Sequence, residues 1–313
     1  MHNVNSMMYA GEKPWHGLGT KVDSAQTSAE AIIAAELNWG VKKEIMYLKN
    51  GNEVPDSFAV VREDVGLPIG VVGNVYTPLQ NKEAFSFFDA VVGEKAAMYH
   101  TAGALGKGEV VWLLAKLPGY IRTLKDDITE KYLLLTNSHN GSSPVKIMFT
   151  PIRVVCQNTL NIALAGNDQI AKIRHCSTMG EKIDYVRETI GIVSAQFSMF
   201  EELSNVMAKT QINNDGLKNY LYDANVIPKQ KEGEKQSTRA YNIMEEVSGL
   251  FEKGRGSDMK SAKGTVWGAF NAVAEYVDYV RSSKNDARTK SLLIGSGASM
   301  KQRAWDTAVT LIK

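Results

Sequence analysis

The sequence has little cysteine, little proline and no long hydrophobic run. Its 313 residues include only 2 Cys, 8 Pro and 26 Gly, which excludes a disulfide framework and a fibrous or disordered chain. No stretch approaches the ~18 to 20 apolar residues of a membrane span, and residues 1–9 lack the charged and apolar zones of a signal peptide. We therefore expect a globular cytoplasmic protein with no membrane partner.

A strong charge of either sign is also missing. The chain has 36 Lys and Arg against 34 Asp and Glu, a net charge of +2, so charge alone makes no case for nucleic acid or membrane. Basic residues do outnumber acidic ones in the C-terminal tail, over residues 281–313. That tail suits contact with phosphates, and it equally suits plain solubility.

The first half of the chain has the patterns of an antiparallel sheet with packed helices. Thr27 and Glu30 have capping-box spacing at the start of a helix predicted over 27–37, and a second helix is predicted to begin at Asn81. Runs rich in β-branched residues, separated by turn sequences, predict strands at 41–48, 57–62, 67–76, 110–117, 132–136 and 145–155. We predict an α+β fold, with residues 1–176 as the core domain.

The remainder, residues 177–313, is predicted to be mostly helical with a basic C-terminal tail. Helices are expected at 181–209, 238–253 and 266–281, with charged or glycine-rich flexible segments between them. The first helix carries a heptad-like seam, which fits either a coiled coil or a helix lying on the core of its own domain. On the third helix, Asn271, Glu275 and Asp278 share a face, either solvated or paired with another subunit.

Two glycine-containing segments near the N-terminus invite a ligand-loop interpretation. Residues 14–19, with Trp15 and His16, are either a loop over a ligand or an anchor for the N-terminus. Residues 101–108 resemble a phosphate loop but lack the Walker spacing, and Lys107 is followed by Gly108 rather than Ser or Thr. A hairpin with one exposed lysine is the simpler interpretation.

Histidine and cysteine residues are present in a combination that could bind zinc or supply a nucleophile. His139, Cys156, His175 and Cys176 have suitable donor atoms, but their spacing matches no metal motif and nothing local marks Cys156 as a thiolate. The alternative is a buried Cys156 on a strand, with Asn158 and Thr159 capping a helix that begins near Leu160. We therefore assign no catalytic residue, metal or cofactor.

Two further segments favour contact with an anion. Arg153 lies in an otherwise apolar run, so it must pair with an acid or face a ligand. Residues 254–265 form a glycine-rich basic loop directly before a predicted helix, where backbone amides and the helix dipole favour phosphate. The competing interpretation is an exposed connection between helices.

Several of these strings resemble the DUF932 family of phage and plasmid proteins, for which no activity is established. The resemblance covers residues 14–278 and rests on PWHGLG at 14–19, Tyr76 with Pro78, TAG at 101–103, NSH at 137–139, RVVCQNTL at 153–160, and Gly264-Thr265 with EYVD at 275–278. Departures are small: Asn140 stands where Asp is common, and Tyr279 where His is common. The resemblance implies a mobile genetic element in a bacterial host cell.

The order helix, three strands, helix over residues 27–92 is also similar to single-strand annealing proteins of the Rad52 and RecT kind. That analogy concerns fold alone. It implies a ring or filament of subunits that holds single-stranded DNA along a basic groove. The residues expected to contact the DNA backbone are Lys42, Lys43, Arg62, Lys107, Arg153, Arg174, Lys253, Arg255, Lys260 and Lys263. Those expected to stack on bases or to form a ligand loop are Trp15, His16, Tyr76, Trp112 and His139.

The leading hypothesis is therefore a homo-oligomeric protein that binds and anneals single-stranded DNA in recombination, without catalytic chemistry. One alternative is an enzyme acting on nucleotides or nucleic acid through a pocket containing His16, His139, His175 and Cys156. Another is a phage protein that binds a host protein and has no nucleic-acid role.

Overall fold

A computed structural model describes residues 4–11, 19–25, 27–92, 98–153, 155, 158–159, 171–173, 182–228, 237–281 and 288–313. The chain divides into two compact units. The first unit comprises Met1–Pro118, Tyr132–Phe149 and Gln169–Ser194, and the second comprises Gly119–Lys131, Thr150–Asp168 and Ala195–Lys313. The α+β prediction is confirmed, because the N-terminal half is mostly sheet and the C-terminal half mostly helix.

The strands are short in the N-terminal part and long in the centre of the chain. They are β1 (Val4–Ala10), β2 (Thr20–Val22), β3 (Val41–Tyr47), β4 (Glu53–Arg62), β5 (Leu67–Val72), β6 (Met98–Leu105), β7 (Val110–Thr123), β8 (Asp127–Ser138), β9 (Val145–Phe149), β10 (Ile152–Arg153), β11 (Asn158–Thr159) and β12 (Ala171–Ile173).

The helices become dominant after the last strand. They are α1 (Ser28–Ala34), α2 (Asn81–Val92), α3 (Lys182–Met207), α4 (Asn214–Asp223), α5 (Thr238–Lys253), α6 (Val266–Glu275), α7 (Arg288–Ile294) and α8 (Ser296–Leu311). A π-helical turn, Tyr276–Val280, continues directly from α6. Within the described residues, no helix is long and apolar enough to cross a membrane.

The first unit contains a small antiparallel sheet in the order β3-β4-β5, between α1 and α2 in the chain. Thr27 caps α1, and its side chain and that of Glu30 make the two reciprocal bonds of the predicted capping box. Helix α2 begins at Asn81, as predicted. Turn chemistry and β-branched runs therefore identified this part of the fold correctly.

The larger sheet of the first unit contains strands that the sequence patterns did not reveal. Its order is β2-β1-β6-β7-β8-β9-β12, and β1 pairs parallel with β2 but antiparallel with β6. Strand β6 covers most of the glycine-rich stretch that resembled a phosphate loop. Gly103 is needed there because a Cβ atom would lie 2.6 Å from the carbonyl oxygen of Ser6 and 2.4 Å from the ring of Trp112.

The predicted strand over 145–155 is two strands, and the predicted cap after it is a strand as well. Strand β9 ends at Phe149 and β10 begins at Ile152, with Pro151 between them. Proline has no amide hydrogen for the strand ladder, so a break here is expected on physical grounds. Asn158 pairs with Arg153 in β11 rather than capping a helix, and residues 160–170, where that helix was predicted, lie outside the described residues.

The second unit is organised around a cluster of aromatic side chains. Phe200 of α3 stacks on Trp305 of α8, with ring centroids 5.0 Å apart, and Trp267 and Phe270 of α6 complete the cluster. All four side chains are fully buried or nearly so. The C-terminal part of α3 therefore lies on the core of its own unit, which favours that interpretation of the heptad-like seam over a coiled coil.

The polar side chains of α6 and the π-turn are buried, contrary to the prediction of a solvated or intersubunit face. Asn271, Glu275 and Asp278 are 4–7% exposed. Asp278 accepts a hydrogen bond of 2.8 Å from the fully buried ammonium group of Lys301, and Glu275 accepts one from the Arg255 amide. Both carboxylates are therefore paired within the same chain, and not with a second subunit. Sequence spacing alone could not distinguish these two cases.

A buried carboxylate joins this core to the segment before α6. Asp127 has no exposed surface, and its Oδ2 atom accepts hydrogen bonds from Ser261 Oγ at 2.7 Å and from Trp267 Nε1 at 2.9 Å. Replacing this carboxylate with a methyl group would leave both donors buried without their present acceptor.

We expect Asp127→Ala to lower the free energy of unfolding by about 2–4 kcal/mol, since two buried donors lose a charged acceptor. The neighbouring Asp126 is exposed, so Asp126→Ala is the matched control and should change stability by less than about 0.5 kcal/mol. Urea denaturation of both variants measures the difference. Equal stabilities would show that the Asp127 bonds contribute nothing to the fold.

Candidate functional site

Several residues predicted to bind nucleic acid lie where the structure does not describe them. Trp15, His16 and Arg174 are outside the described residues, and for Arg153 only the backbone in β10 is described. Cys156, His175 and Cys176 are also outside them. The structure therefore bears only on the remaining predicted residues.

Arg62 was predicted to contact a phosphate, but its guanidinium group is buried in the first unit. The side chain makes a bidentate ion pair with Asp64, with a closest distance of 2.7 Å, and Nη1 donates to the Lys107 carbonyl at 2.9 Å. The guanidinium also covers the ring of Trp39 at 4.3 Å. These partners occupy it, so Arg62 positions the β6–β7 turn rather than facing solvent.

His139 is fully buried, and its ring also contacts that of Trp39, with ring centroids 5.4 Å apart. Asn81 donates through Nδ2 to the carbonyl of Leu37, so its Oδ1 is an acceptor, and it lies 2.8 Å from His139 Nε2. The proton of this contact is thereby assigned to Nε2. Because its side chain is fully buried, His139 is not at a surface on which bases could stack.

Two aromatic residues predicted to stack on bases also have structural roles. Trp112 is 3% exposed and donates from Nε1 to Thr101 Oγ1 at 3.3 Å. The hydroxyl of Tyr76 donates to the carbonyl of Ser138 at 2.9 Å, and burial raises its pKa well above the usual range. Both side chains are therefore held by hydrogen bonds within the first unit.

The lysines of the first unit differ in their availability. Lys43 donates to three carbonyl oxygens of the segment after β5, those of Gly73, Asn74 and Tyr76, at 2.9–3.2 Å. Lys42 is exposed but paired with Glu44 at 2.9 Å. The ammonium group of Lys107 is exposed and has no ion-pair partner among the described residues. Of the three lysines of this unit that were predicted to contact DNA, Lys107 is thus the most available to a ligand.

The basic segment between α5 and α6 is an ordered series of turns, although a flexible loop was predicted. Successive backbone bonds run from Ser257 to Gly254, from Ala262 to Met259 and from Thr265 to Ala262. The bond between Ser261 and Asp127 anchors it. We call residues 253–263 the cationic loop, because its exposed basic side chains are those of Lys253, Arg255, Lys260 and Lys263.

The basic side chains of the cationic loop differ in their partners. Lys253, Lys260 and Lys263 make no ion pair with any residue in the described part of the chain. Arg255 lies 4.3 Å above the ring of Tyr279 in the π-turn and 3.8 Å from Glu275. A phosphate that binds here orders the lysine side chains but not the backbone that carries them.

The start of α6 does not have the open amides that an anion site needs. The Gly268 amide donates to the side chain of Thr265 at 3.1 Å, and the Val266 amide donates to the carbonyl of Thr210 at 2.9 Å. Thr265 is 1% exposed. Two amides in the first turn of α6 are thus already bonded within the protein, which argues against the predicted phosphate site at this helix terminus.

A cavity of about 690 Å³ opens beside the π-turn, and sequence reasoning did not find it. Its polar lining includes Arg239, Arg281 and Tyr276. The sequence spacing was misleading, because Tyr276 and Arg281 are five residues apart. In an α-helix this spacing places two side chains about 140° apart. The π register changes this, since the Arg281 amide bonds to the Tyr276 carbonyl at 2.7 Å, one turn away.

Comparison with known proteins identifies the family of this α+β chain. Among the described residues, no group of His, Cys, Asp or Glu could hold a metal ion. Residues 68–305 match the family described as "Domain of unknown function (DUF932)", and the chain belongs to that family. No curated protein and no solved structure matches.

The ion pair of Arg62 gives a pH-dependent prediction. The hydrogen bond from Arg62 holds the pKa of Asp64 below its ordinary value, so the pair stabilises the fold above that value and loses its effect as pH falls through the lowered pKa. We expect wild type to exceed Asp64→Asn in unfolding free energy by at most about 1 kcal/mol at pH 7, since Asp64 is partly exposed.

The difference should shrink as pH falls through the lowered pKa of Asp64, because protonation of the carboxylate removes the ion pair. Urea denaturation at several pH values measures it, and Glu63→Gln is the neighbouring control. A difference that stays constant from pH 7 to about pH 2 would contradict the assigned ion pair.

Proposed function

We propose that this protein is a phage or plasmid protein that binds and anneals single-stranded DNA as an oligomer, without catalytic chemistry. The observation that carries the proposal is the cationic loop, in which three exposed lysines without ion-pair partners among the described residues stand on an ordered backbone. Annealing requires neutralised phosphates and an extended strand rather than a reactive group. The loop supplies the first of these requirements.

Binding through this loop is favoured by its rigidity. The loop backbone is bonded turn by turn and tied through Ser261 to the buried Asp127. A strand that binds there orders only lysine side chains, and not a whole loop. Bases need aromatic rings to stack on, and the second unit exposes Tyr120 and Tyr241, which are 49% and 54% accessible.

Oligomerisation is supported by the edge of the small sheet in the first unit. Strand β3 lies at the edge of that sheet and exposes Ile45 and Tyr47, which are 47% and 62% accessible. The Gln80 side chain bonds to both the amide and the carbonyl of Val41, at 3.0 and 2.8 Å. The backbone groups at the start of β3 are therefore already occupied and cannot pair with another strand. The second half of β3, after the charged residues Lys42 to Glu44, is therefore an exposed apolar edge of the kind that can pair with another chain.

The alternative of a nucleotide- or nucleic-acid-processing enzyme has less support. Of its proposed residues, His16, His175 and Cys156 lie outside the described residues. His139 is buried, and its Nε2 atom is bonded to Asn81. A host-binding role has only the same β3 edge in its favour, and that edge fits self-association equally well.

The cationic loop gives a quantitative prediction for DNA binding. We expect the triple variant Lys253→Ala, Lys260→Ala, Lys263→Ala to bind a fluorescent single-stranded oligonucleotide more weakly at low salt. The slope of log affinity against log salt should fall in magnitude by about 2, since each lost phosphate contact removes about 0.7. Fluorescence anisotropy at several salt concentrations measures both quantities.

The control is Lys218→Ala, which removes an exposed lysine of α4 in the same unit. It should leave the slope within about 0.3 of wild type, because a lysine away from the strand releases no counterion. A triple variant with the wild-type slope, or a wild type without salt-sensitive binding, would refute the assigned loop contact.

The β3 edge gives a separate prediction for assembly. Ile45→Lys places a charge on the open edge, so we expect it to convert multimers into monomers and to reduce annealing of complementary strands. Val65→Lys adds the same charge at an exposed position, 63% accessible, outside the strands. Mass photometry and an annealing assay compare them. Multimers of Ile45→Lys equal to those of the control would exclude this edge as the interface.

A further inference from the structure

The cavity beside the π-turn has the lining of an organic-anion site. Arg239 and Arg281 both line it, and neither forms an ion pair with a carboxylate in the described part of the chain. Among the described residues, the guanidinium group of Arg281 makes one hydrogen bond, of 3.3 Å to Ser296 Oγ. Two guanidinium groups that share a concave space and pair with no carboxylate among the described residues are typical of phosphate or carboxylate recognition.

Tyr276 provides a further donor in the same cavity. Its side chain is 7% exposed, and its hydroxyl makes no hydrogen bond to any described residue. Burial raises its pKa, which the two arginines only partly oppose. The hydroxyl therefore keeps its proton at neutral pH and is able to donate it to a bound anion.

The rest of the lining indicates more than an inorganic ion. Val226, Ile243 and Met300 form an apolar wall, while Asn225 and Asn242 add amide groups that can read the edge of a polar ring. The volume of about 690 Å³ lies within the range of small-molecule sites, about 300–1,000 Å³. An anion with a flat, partly apolar body fits this arrangement.

The cavity is supported by a rigid frame. Asn225 has a positive φ of 50° at the end of α4, where the Val226 amide bonds back to Leu221. Arg303 donates to the carbonyl groups of Ala224 and Asn225, at 3.2 and 3.3 Å. The wall opposite the π-turn is therefore fixed before a ligand arrives, which lowers the cost of binding.

We propose that this cavity binds the phosphomonoester of a nucleoside, with Arg239, Arg281 and Tyr276 on the phosphate and the apolar wall against the base. Such a group occurs in a free nucleoside monophosphate and at the 5′ end of a DNA strand. The site shares no residue with the cationic loop, so it does not depend on the proposed annealing function.

The test is isothermal titration of the full chain with nucleoside monophosphates, the matching nucleosides, inorganic phosphate, and oligonucleotides with and without a 5′-phosphate. We expect at least one phosphorylated nucleoside, free or terminal, to bind with a Kd below about 1 mM and at least about 10-fold tighter than its unphosphorylated form. Inorganic phosphate alone should bind more weakly, because it makes no contact with the wall.

Variants assign the contact. Arg239→Ala and Arg281→Ala should each weaken binding by about 10-fold or more, and Tyr276→Phe by about 3- to 10-fold. Glu246, whose charge acts on Tyr276, gives the opposite test: Glu246→Gln should strengthen binding. Lys218→Ala, which removes an exposed lysine outside the cavity, should leave nucleotide binding unchanged.

Three results would overturn the proposal. They are no binding of any phosphorylated nucleoside, binding that both arginine variants retain, and inorganic phosphate binding as tightly as the nucleotides. Circular dichroism of each variant separates loss of the site from loss of the fold. Lys260→Ala should retain nucleotide binding even if it loses DNA, which distinguishes failure of this site from failure of the loop.

Discussion

The second unit depends on the way in which one buried carboxylate is satisfied. Asp127 accepts hydrogen bonds from Ser261 in the cationic loop and from Trp267 in the aromatic core. A carboxylate is tolerated in an interior only where donors compensate for its lost hydration. Because one of those donors belongs to the loop and the other to α6, the same group ties the loop to the core and holds its lysines in a defined place.

The π-turn that follows α6 has a comparable organising role. It presents Tyr279 beneath Arg255, and its changed register brings Tyr276 and Arg281 to one cavity. Asp278, within the same turn, is paired with the buried Lys301. A wider turn of this kind is rare and is found mostly at functional sites, and here it joins the two features of the second unit that suit phosphate groups.

The elements predicted best from sequence were those with strong local signals. The capping box of α1, the start of α2, the extent of α5 and the three strands of the small sheet all depend on residues close in sequence. Strand β6 was missed because Gly103 is required by the close approach of Trp112 and Ser6. The local sequence pattern carries no information about these contacts. Likewise, nothing near Arg62 in sequence reveals that Trp39 and Lys107 enclose its guanidinium group.

The candidate binding residues show the same contrast between local sequence signals and long-range contacts. The positions of Lys253, Lys260 and Lys263 were predicted, since a run of lysines and glycines between helices is usually exposed. Their rigid backbone was not, because it depends on Asp127, more than 100 residues away in the chain. The cavity was missed because a π-turn has no sequence pattern that distinguishes it from the helix it continues.

The central claim is that a single strand of DNA lies on the cationic loop, and photo-crosslinking tests it most directly. A strand containing bromodeoxyuridine would be irradiated with the full protein, and the crosslinked peptides would be identified by mass spectrometry. The account predicts crosslinks within or beside residues 253–263. Crosslinks confined to the first unit, or none at all under conditions where the strand is bound, would contradict it.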